Sequence, residues 1–174
     1  MMNIPIAFPS YRYLAPAIAV TAVVLTACED MVVRDYEATA TVTMTWRVPY
    51  ETPGDRFPRY EEFASVSLTN YNGEKPDGSL PTPDDKGLWW PPLPPKPTID
   101  QIEQRVDRGE KPGKPEVLRE VDYALTFDKD AQTVTLPTDY ATYRQAVRAQ
   151  QYGKGLELTL GPQEGSVVKA EPVD

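Results

Sequence analysis

The 174-residue chain contains no histidine and a single cysteine, Cys28. Histidine is the only side chain whose ordinary pKa lies near neutrality. Its absence closes off imidazole acid–base catalysis and His-ligated zinc. One cysteine cannot close an intramolecular disulfide or furnish a cysteine-rich metal site. Positive charge is also scarce: 18 Lys and Arg against 26 Asp and Glu leave a formal charge of −8. This argues against nucleic acid as a partner, because a polyanion would be repelled rather than release counterions. The longest apolar run, Leu14 to Leu25, is about a dozen residues, short of the roughly 20 that cross the hydrocarbon layer as a helix.

Proline, in contrast, is abundant: the 19 prolines are clustered rather than spread, which argues for extended loops and against a helical bundle. The length suits one ordinary domain with its own core once a leader is set aside.

Residues 1–27 have the layout of a signal peptide: a weakly basic start holding Arg12, then the apolar run with Pro16 inside it. The run ends in Leu25-Thr26-Ala27-Cys28, an aliphatic residue, two small ones and cysteine. This resembles the lipobox of bacterial lipoproteins, a likeness confined to the leader. The resemblance implies that residues 1–27 are removed and that Cys28 becomes the N-terminus, carrying a diacylglyceryl thioether and an N-acyl chain. It also implies that the mature domain is lipid-anchored in the bacterial cell envelope, facing the periplasm or the exterior. An ordinary secretory leader and an uncleaved anchor are the alternative readings. Two or more acyl chains make attachment stable, at about 0.8 kcal/mol per buried methylene. A thioether sulfur cannot form a thiolate, so nucleophilic and redox roles for Cys28 fall away. In enterobacterial lipoproteins an Asp directly after the cysteine favours the inner membrane. Here Glu29 comes first and Asp30 second, which leaves inner against outer membrane open.

In the mature chain, residues 28–36 are expected to be a lipidated tether and 37–161 the single globular domain. From Glu37 to Tyr50, apolar residues (Ala38, Ala40, Val42, Met44, Trp46, Val48) alternate with Thr39, Thr41, Thr43, Thr45 and Arg47. Period two with β-branched threonines predicts a half-buried antiparallel strand. A second strand follows over 63–69, closed by Asn72-Gly73. Residues 74–97 form a long proline-rich connection. Thr98 with Gln101 makes a capping box for a helix whose apolar stripe is Ile99, Ile102 and Val106, stopped by Gly109. A hairpin is expected from Val121 to Leu136 about the turn DKDAQ, then a helix capped by Thr138-Asp139 and running to about Tyr152. A last strand covers 156–160, and 162–174 is expected to be a flexible tail. The fold class is mainly β (α+β): a small antiparallel sheet or sandwich with two short helices and a long Pro-rich loop. The stretch 64–70, a strand ending in Asn70, with Thr82-Pro83-Asp84-Asp85-Lys86-Gly87 after it, also resembles transthyretin-like and carboxypeptidase-regulatory β-sandwich modules.

Few residues offer chemistry. The paired carboxylates Glu61-Glu62 and Asp84-Asp85 are sequence neighbours, whereas glycoside hydrolysis needs two carboxyls ~5 to 9.5 Å apart across a cleft. Asp128 and Asp130 begin like a calcium loop, but Thr133 stands where such a loop needs glycine and Asp139 where it needs glutamate. With Asp84 and Asp85 they are the calcium candidates, and a plain hairpin turn is the favoured reading. The most suggestive segment is Leu88-Trp89-Trp90-Pro91-Pro92-Leu93-Pro94-Pro95-Lys96-Pro97. Proline holds it near polyproline II, and tryptophan is enriched at binding hot spots. Trp89, Trp90, Pro91 and Leu93 are the candidate contact residues, and the segment is either that surface or a lid over the sheet. The sequence thus points to a lipid-anchored accessory or assembly subunit of an envelope protein complex, without cofactor and without catalysis. The alternatives are a glycan-binding or cell-wall-binding module and a carboxylate-dependent envelope enzyme.

Overall fold

The computed structural model describes residues 30–174; Cys28 and the leader lie outside the described residues. In chain order the elements are β1 (Asp30–Val33), β2 (Tyr36–Glu51), β3 (Arg59–Tyr71), α1 (Ile99–Glu103), β4 (Lys111–Pro112), β5 (Glu116–Lys129), β6 (Gln132–Thr138), α2 (Tyr140–Gln151), β7 (Gly155–Leu160) and β8 (Val167–Val173). The fold is mainly β, with two sheets and two short helices. One sheet has the order β3-β2-β5-β6, with β4 added at the end of β2; the other is β1-β7-β8. Every pairing is antiparallel.

The unbroken alternation of 37–50 becomes the 16-residue β2, the central strand. Its even-numbered side chains face inward: Ala38, Ala40, Val42, Met44, Val48 and Tyr50 are all buried. The odd-numbered threonines face the other way and pair across the sheet with β3 hydroxyls, Thr41 with Thr69 at 3.1 Å, Thr43 with Ser67 and Thr45 with Ser65 at 2.8 Å. An inward face of this length needs more cover than one helix supplies, and three blocks share it.

The first block is α2 with the three-stranded sheet. Asp139 caps α2 by accepting from the Thr142 amide at 2.8 Å, and this bond holds the Asp139 carboxyl below its usual range. Ala146 and Ala149 are buried on the inward stripe of α2, small enough to let the helix lie close. Leu156, Leu158 and Leu160 of β7 are fully buried and meet Ala38, Ala40 and Val42 in one core. Tyr143 lies at its centre, 5.2 Å from Tyr123 ring to ring, and burial pushes its hydroxyl up to about 12.

The block at the far end is α1 and the loop behind it. Tyr50 is fully buried and donates to the Ile102 carbonyl at 2.8 Å. Arg59 then holds the loop with a fork to Glu110, Nε to Oε1 at 3.0 Å and Nη2 to Oε2 at 2.8 Å, while its guanidinium lies 4.8 Å over the Tyr50 ring. The Glu110 side chain is only 7 % exposed. Its carboxyl is lowered to about 2, chiefly by the Arg59 bond and then by the Asp107 amide.

Three expectations need correction. Residues 30–33, placed in the tether, form β1 on β7; four residues are too few for a period-two signal. Residues 162–174, expected to be a loose tail, contain a single helical turn and then β8, which pairs with β7. Its charged residues and Pro172 hide the two inward positions, Val167 and Ala170. The helix from Thr98 has its capping box but ends at Glu103, because Arg105 turns away to donate to the Glu62 carbonyl at 2.6 Å. Ile99 is consequently 73 % exposed, and Ile102 carries the packing.

Two stability outcomes follow from this packing. Leu158→Ala should cost about 2–5 kcal/mol, the range for large-to-small core changes, read as a lower urea midpoint, whereas the exposed Val168→Ala should move it little. Glu110 has a folded pKa depressed from 4.5 to about 2, so its contribution is present above pH 4.5 and lost as pH falls toward 2. Glu110→Gln should therefore lower the urea midpoint at neutral pH, with the gap to the parent protein closing over that window.

Candidate functional site

Between the two end blocks, residues 74–97 cross the middle of the sheet as a strap. It leaves β3 through Asn72 (φ 52) and Gly73 (φ 75), a left-handed pair. A Cβ at Gly73 would sit 2.7 Å from a methyl of Val147, so both the angle and the close approach to α2 require glycine.

The strap doubles back on itself: the Leu80 amide donates to the Trp90 carbonyl at 2.7 Å, and the Asp84 amide to the Leu88 carbonyl at 2.9 Å. Asp84 closes the bend. Its Oδ1 accepts from the Lys86 and Leu88 amides at 2.9 and 2.8 Å, and its Oδ2 from the Trp90 indole at 2.8 Å. A carboxylate that holds three donors of its own loop serves as a turn residue. Asp85 beside it is exposed.

From Leu88 onward burial recurs every third residue: Leu88, Pro91, Pro94 and Pro97 are buried, while Pro92, Leu93, Pro95 and Lys96 are exposed. Three residues per turn is the repeat of polyproline II. One edge of this extended helix covers Met44 and Trp46, and the Trp46 indole donates to the Pro94 carbonyl at 2.8 Å. The other edges face outward. A polyproline helix makes no internal hydrogen bonds, so its main chain must be satisfied from outside. The fully buried Asn70 does this at the start of the run: its side chain accepts from the Trp89 amide at 2.8 Å and donates to the Trp89 and Ala40 carbonyls at 3.1 and 3.2 Å.

The two arms of the strap enclose a groove of about 470 Å³. Met44 forms its floor, and Leu80, Asp84, Trp90, Pro91, Leu93 and Arg119 are among the residues that line it. Leu93 is 54 % exposed at the rim. Arg119 is the cross-strand partner of Met44, and its guanidinium lies 5.7 Å over the Trp90 ring. Among the described residues no ion pair is formed by Arg119, although Asp84 lines the same groove.

Of the sequence-predicted contact residues, the structure brings Trp90, Pro91 and Leu93 together in the groove and separates Trp89 from them. Trp89 takes part in the Asn70 clamp, with the Lys75 ammonium 5.3 Å from its ring. Lid and groove wall thus share one segment: Pro91 lies on the edge that covers the sheet and also lines the groove, with Trp90 and Leu93 on the other edges. Asp128 and Asp130 lie at the β5–β6 turn: Asp128 accepts from the Thr133 hydroxyl at 2.6 Å, and Asp130 (φ 51) makes the bend. Among the described residues no three His, Cys, Asp or Glu side chains converge into a cation site. Sequence reasoning missed Asn70, Leu80 and Arg119. Arg119 carried a signal, since it alone interrupts the apolar file Val117, Val121, Tyr123, Leu125, Phe127 on the inward face of β5. The three-residue spacing of Pro91, Pro94 and Pro97 was the signal for the strap.

Compared with known proteins, the chain matches no family model, no curated protein and no solved structure.

The clamp has a measurable consequence. Asn70→Ala leaves buried amide and carbonyl groups without partners, at about 1–3 kcal/mol for each group left unsatisfied. It should lower stability by about 3 kcal/mol or more, read as a lower urea midpoint, and bring forward the tryptophan fluorescence change that reports release of the strap.

Proposed function

We propose that the protein is a bacterial lipoprotein, held by acyl chains on Cys28 and acting outside the cytoplasm as a non-catalytic accessory or assembly subunit of an envelope complex. The observation that carries the binding half of this reading is the groove between the strap arms. An exposed cation stands on the inward face of β5 between Val117 and Val121, beside an open cavity walled by Trp90, Pro91 and Leu93, with Asp84 also on its lining. Arg119 is exposed at the groove, so its guanidinium is available to a ligand that enters there. Its chemistry suits a partner that inserts an apolar side chain next to a carboxylate: the side chain meets Met44, Leu80 and Trp90, and the carboxylate meets the guanidinium. Rigidity supports the same reading, since a polyproline edge is ordered before the partner arrives and loses little entropy on docking.

The anchoring half rests on the lipobox and gains a spatial consequence from β1. Only Glu29 separates Cys28 from the first strand residue, Asp30. An acylated Cys28 would hold the β1 end of the domain against the headgroups, with no stalk. Of the two carboxylates the glycan-binding and enzyme readings would use, Asp84 is engaged in the strap and Asp85 stays exposed.

The test is a photo-crosslinking residue in place of Leu93 in cells, with a parallel chain carrying Arg119→Glu. A discrete protein adduct that is lost with Arg119→Glu is the expected result. No adduct, or one indifferent to residue 119, would overturn the groove as the contact. Mass spectrometry of the native polypeptide should find Cys28 N-terminal and acylated; an unmodified Cys28 would overturn the anchor.

A further inference from the structure

The five-stranded sheet ends at β3, and among the described residues no strand pairs with its outer side. The Asn72 amide donates to the Ala38 carbonyl at 2.7 Å, so in the register of β2 and β3 the hydrogen-bonded pairs are Ala40–Asn70, Val42–Leu68 and Met44–Val66. Antiparallel alternation then turns the amides and carbonyls of Ser65, Ser67 and Thr69 away from β2. Among the described residues none of these six groups has a backbone partner. Natural sheets blunt such edges with charge, proline or a short strand. The segment from Phe63 to Tyr71, FASVSLTNY, holds no charge and no proline, and the nearest charged residues flanking it are Glu62 and Glu74. The other edges differ: β6 carries Pro137 and is tied to β8 by the Thr138 hydroxyl on the Val167 carbonyl at 2.7 Å, and β1 is four residues long.

We infer that β3 is a pairing edge for a second copy of this chain, joined antiparallel about a two-fold axis through Ser67. The segment is complementary to itself in that register. Ser65 falls opposite Thr69 of the second copy, Ser67 opposite Ser67, and Val66 opposite Leu68. Hydroxyls therefore meet hydroxyls on the face where Ser65, Ser67 and Thr69 already pair with the β2 threonines, and half-buried aliphatic side chains meet on the inward face. Each hydroxyl can donate once and accept twice, which leaves capacity for a second bond. The net charge of −8 does not oppose the contact, because no carboxylate lies within the paired segment. The product is one continuous sheet through two domains, an isologous interface. It leaves the groove, on the inward face beneath the strap, available on each copy.

The register fixes the test. Opposed residues of a hydrogen-bonded antiparallel pair have Cα atoms about 5.5 Å apart, within disulfide range. In the full chain carrying Cys28→Ser, Ser67→Cys holds the only thiol and should form a covalent dimer under mild oxidation, severalfold faster than Thr135→Cys on β6. Sedimentation of the full chain with Ser67 intact should show a dimer in the micromolar range, and Ser67→Pro should shift it to monomer. Equal crosslinking at positions 67 and 135, or a monomer throughout that range, would overturn the inference. The thiol readout stands whether or not the proline variant folds.

Discussion

The length of β2 sets the problem that every other element answers. Sixteen residues of strand span about 53 Å at ~3.3 Å per residue, and alternate side chains along nearly all of it are apolar. A helix of twelve residues is about 18 Å long and cannot dry such a face. The chain solves this with three unlike covers in series: α2 backed by a second sheet, a proline-rich strap, and a minimal helix pinned by an arginine fork. Each cover suits the width of the face beneath it. Alanines at 38 and 40 admit a close helix, whereas Met44 and Trp46 are met by proline rings.

The middle cover is the unusual one. An extended helix without internal hydrogen bonds burdens its surroundings with unsatisfied amides, and proline relieves half of that burden by having no amide to satisfy. Asn70 relieves more of it at the first tryptophan, and Trp46 takes the Pro94 carbonyl. The same geometry leaves a gap. A strap that buries one residue in three cannot close over the sheet as a packed helix would, and the groove beside Arg119 is what remains. Cover and cavity are thus two consequences of one choice of secondary structure.

Charge plays a local part. The carboxylates that matter are used inside the fold: Glu110 on Arg59, Asp139 on the α2 amides, Asp84 on the strap bend. In each case a carboxylate accepts from several donors in a fixed geometry, which ties it into a turn or a cap. This explains why an acidic chain without histidine shows acidic residues in conspicuous pairs and yet no converging acidic cluster among its described residues.

Much of the architecture was legible in the sequence, because period-two and capping signals are local. The β2 alternation, the β5–β6 hairpin, the Asp139 cap and the Thr98 capping box each depend on residues a few positions apart, and all appear in the structure. The resemblance of Leu25-Thr26-Ala27-Cys28 to a lipobox is a local signal too, and it lies outside the described residues. Strands β1 and β8 were hidden, since a strand of four residues or one carrying charge and proline is defined by its partner, and that partner is β7. The groove was half legible. The sequence nominated Trp90, Pro91 and Leu93, but joining them to Leu80, Met44 and Arg119 required a chain reversal at Asp84 and a register between β2 and β5. Local chemistry chose the elements, whereas contacts between residues tens of positions apart decided which side chains share a site, because only packing brings those side chains within reach of one another.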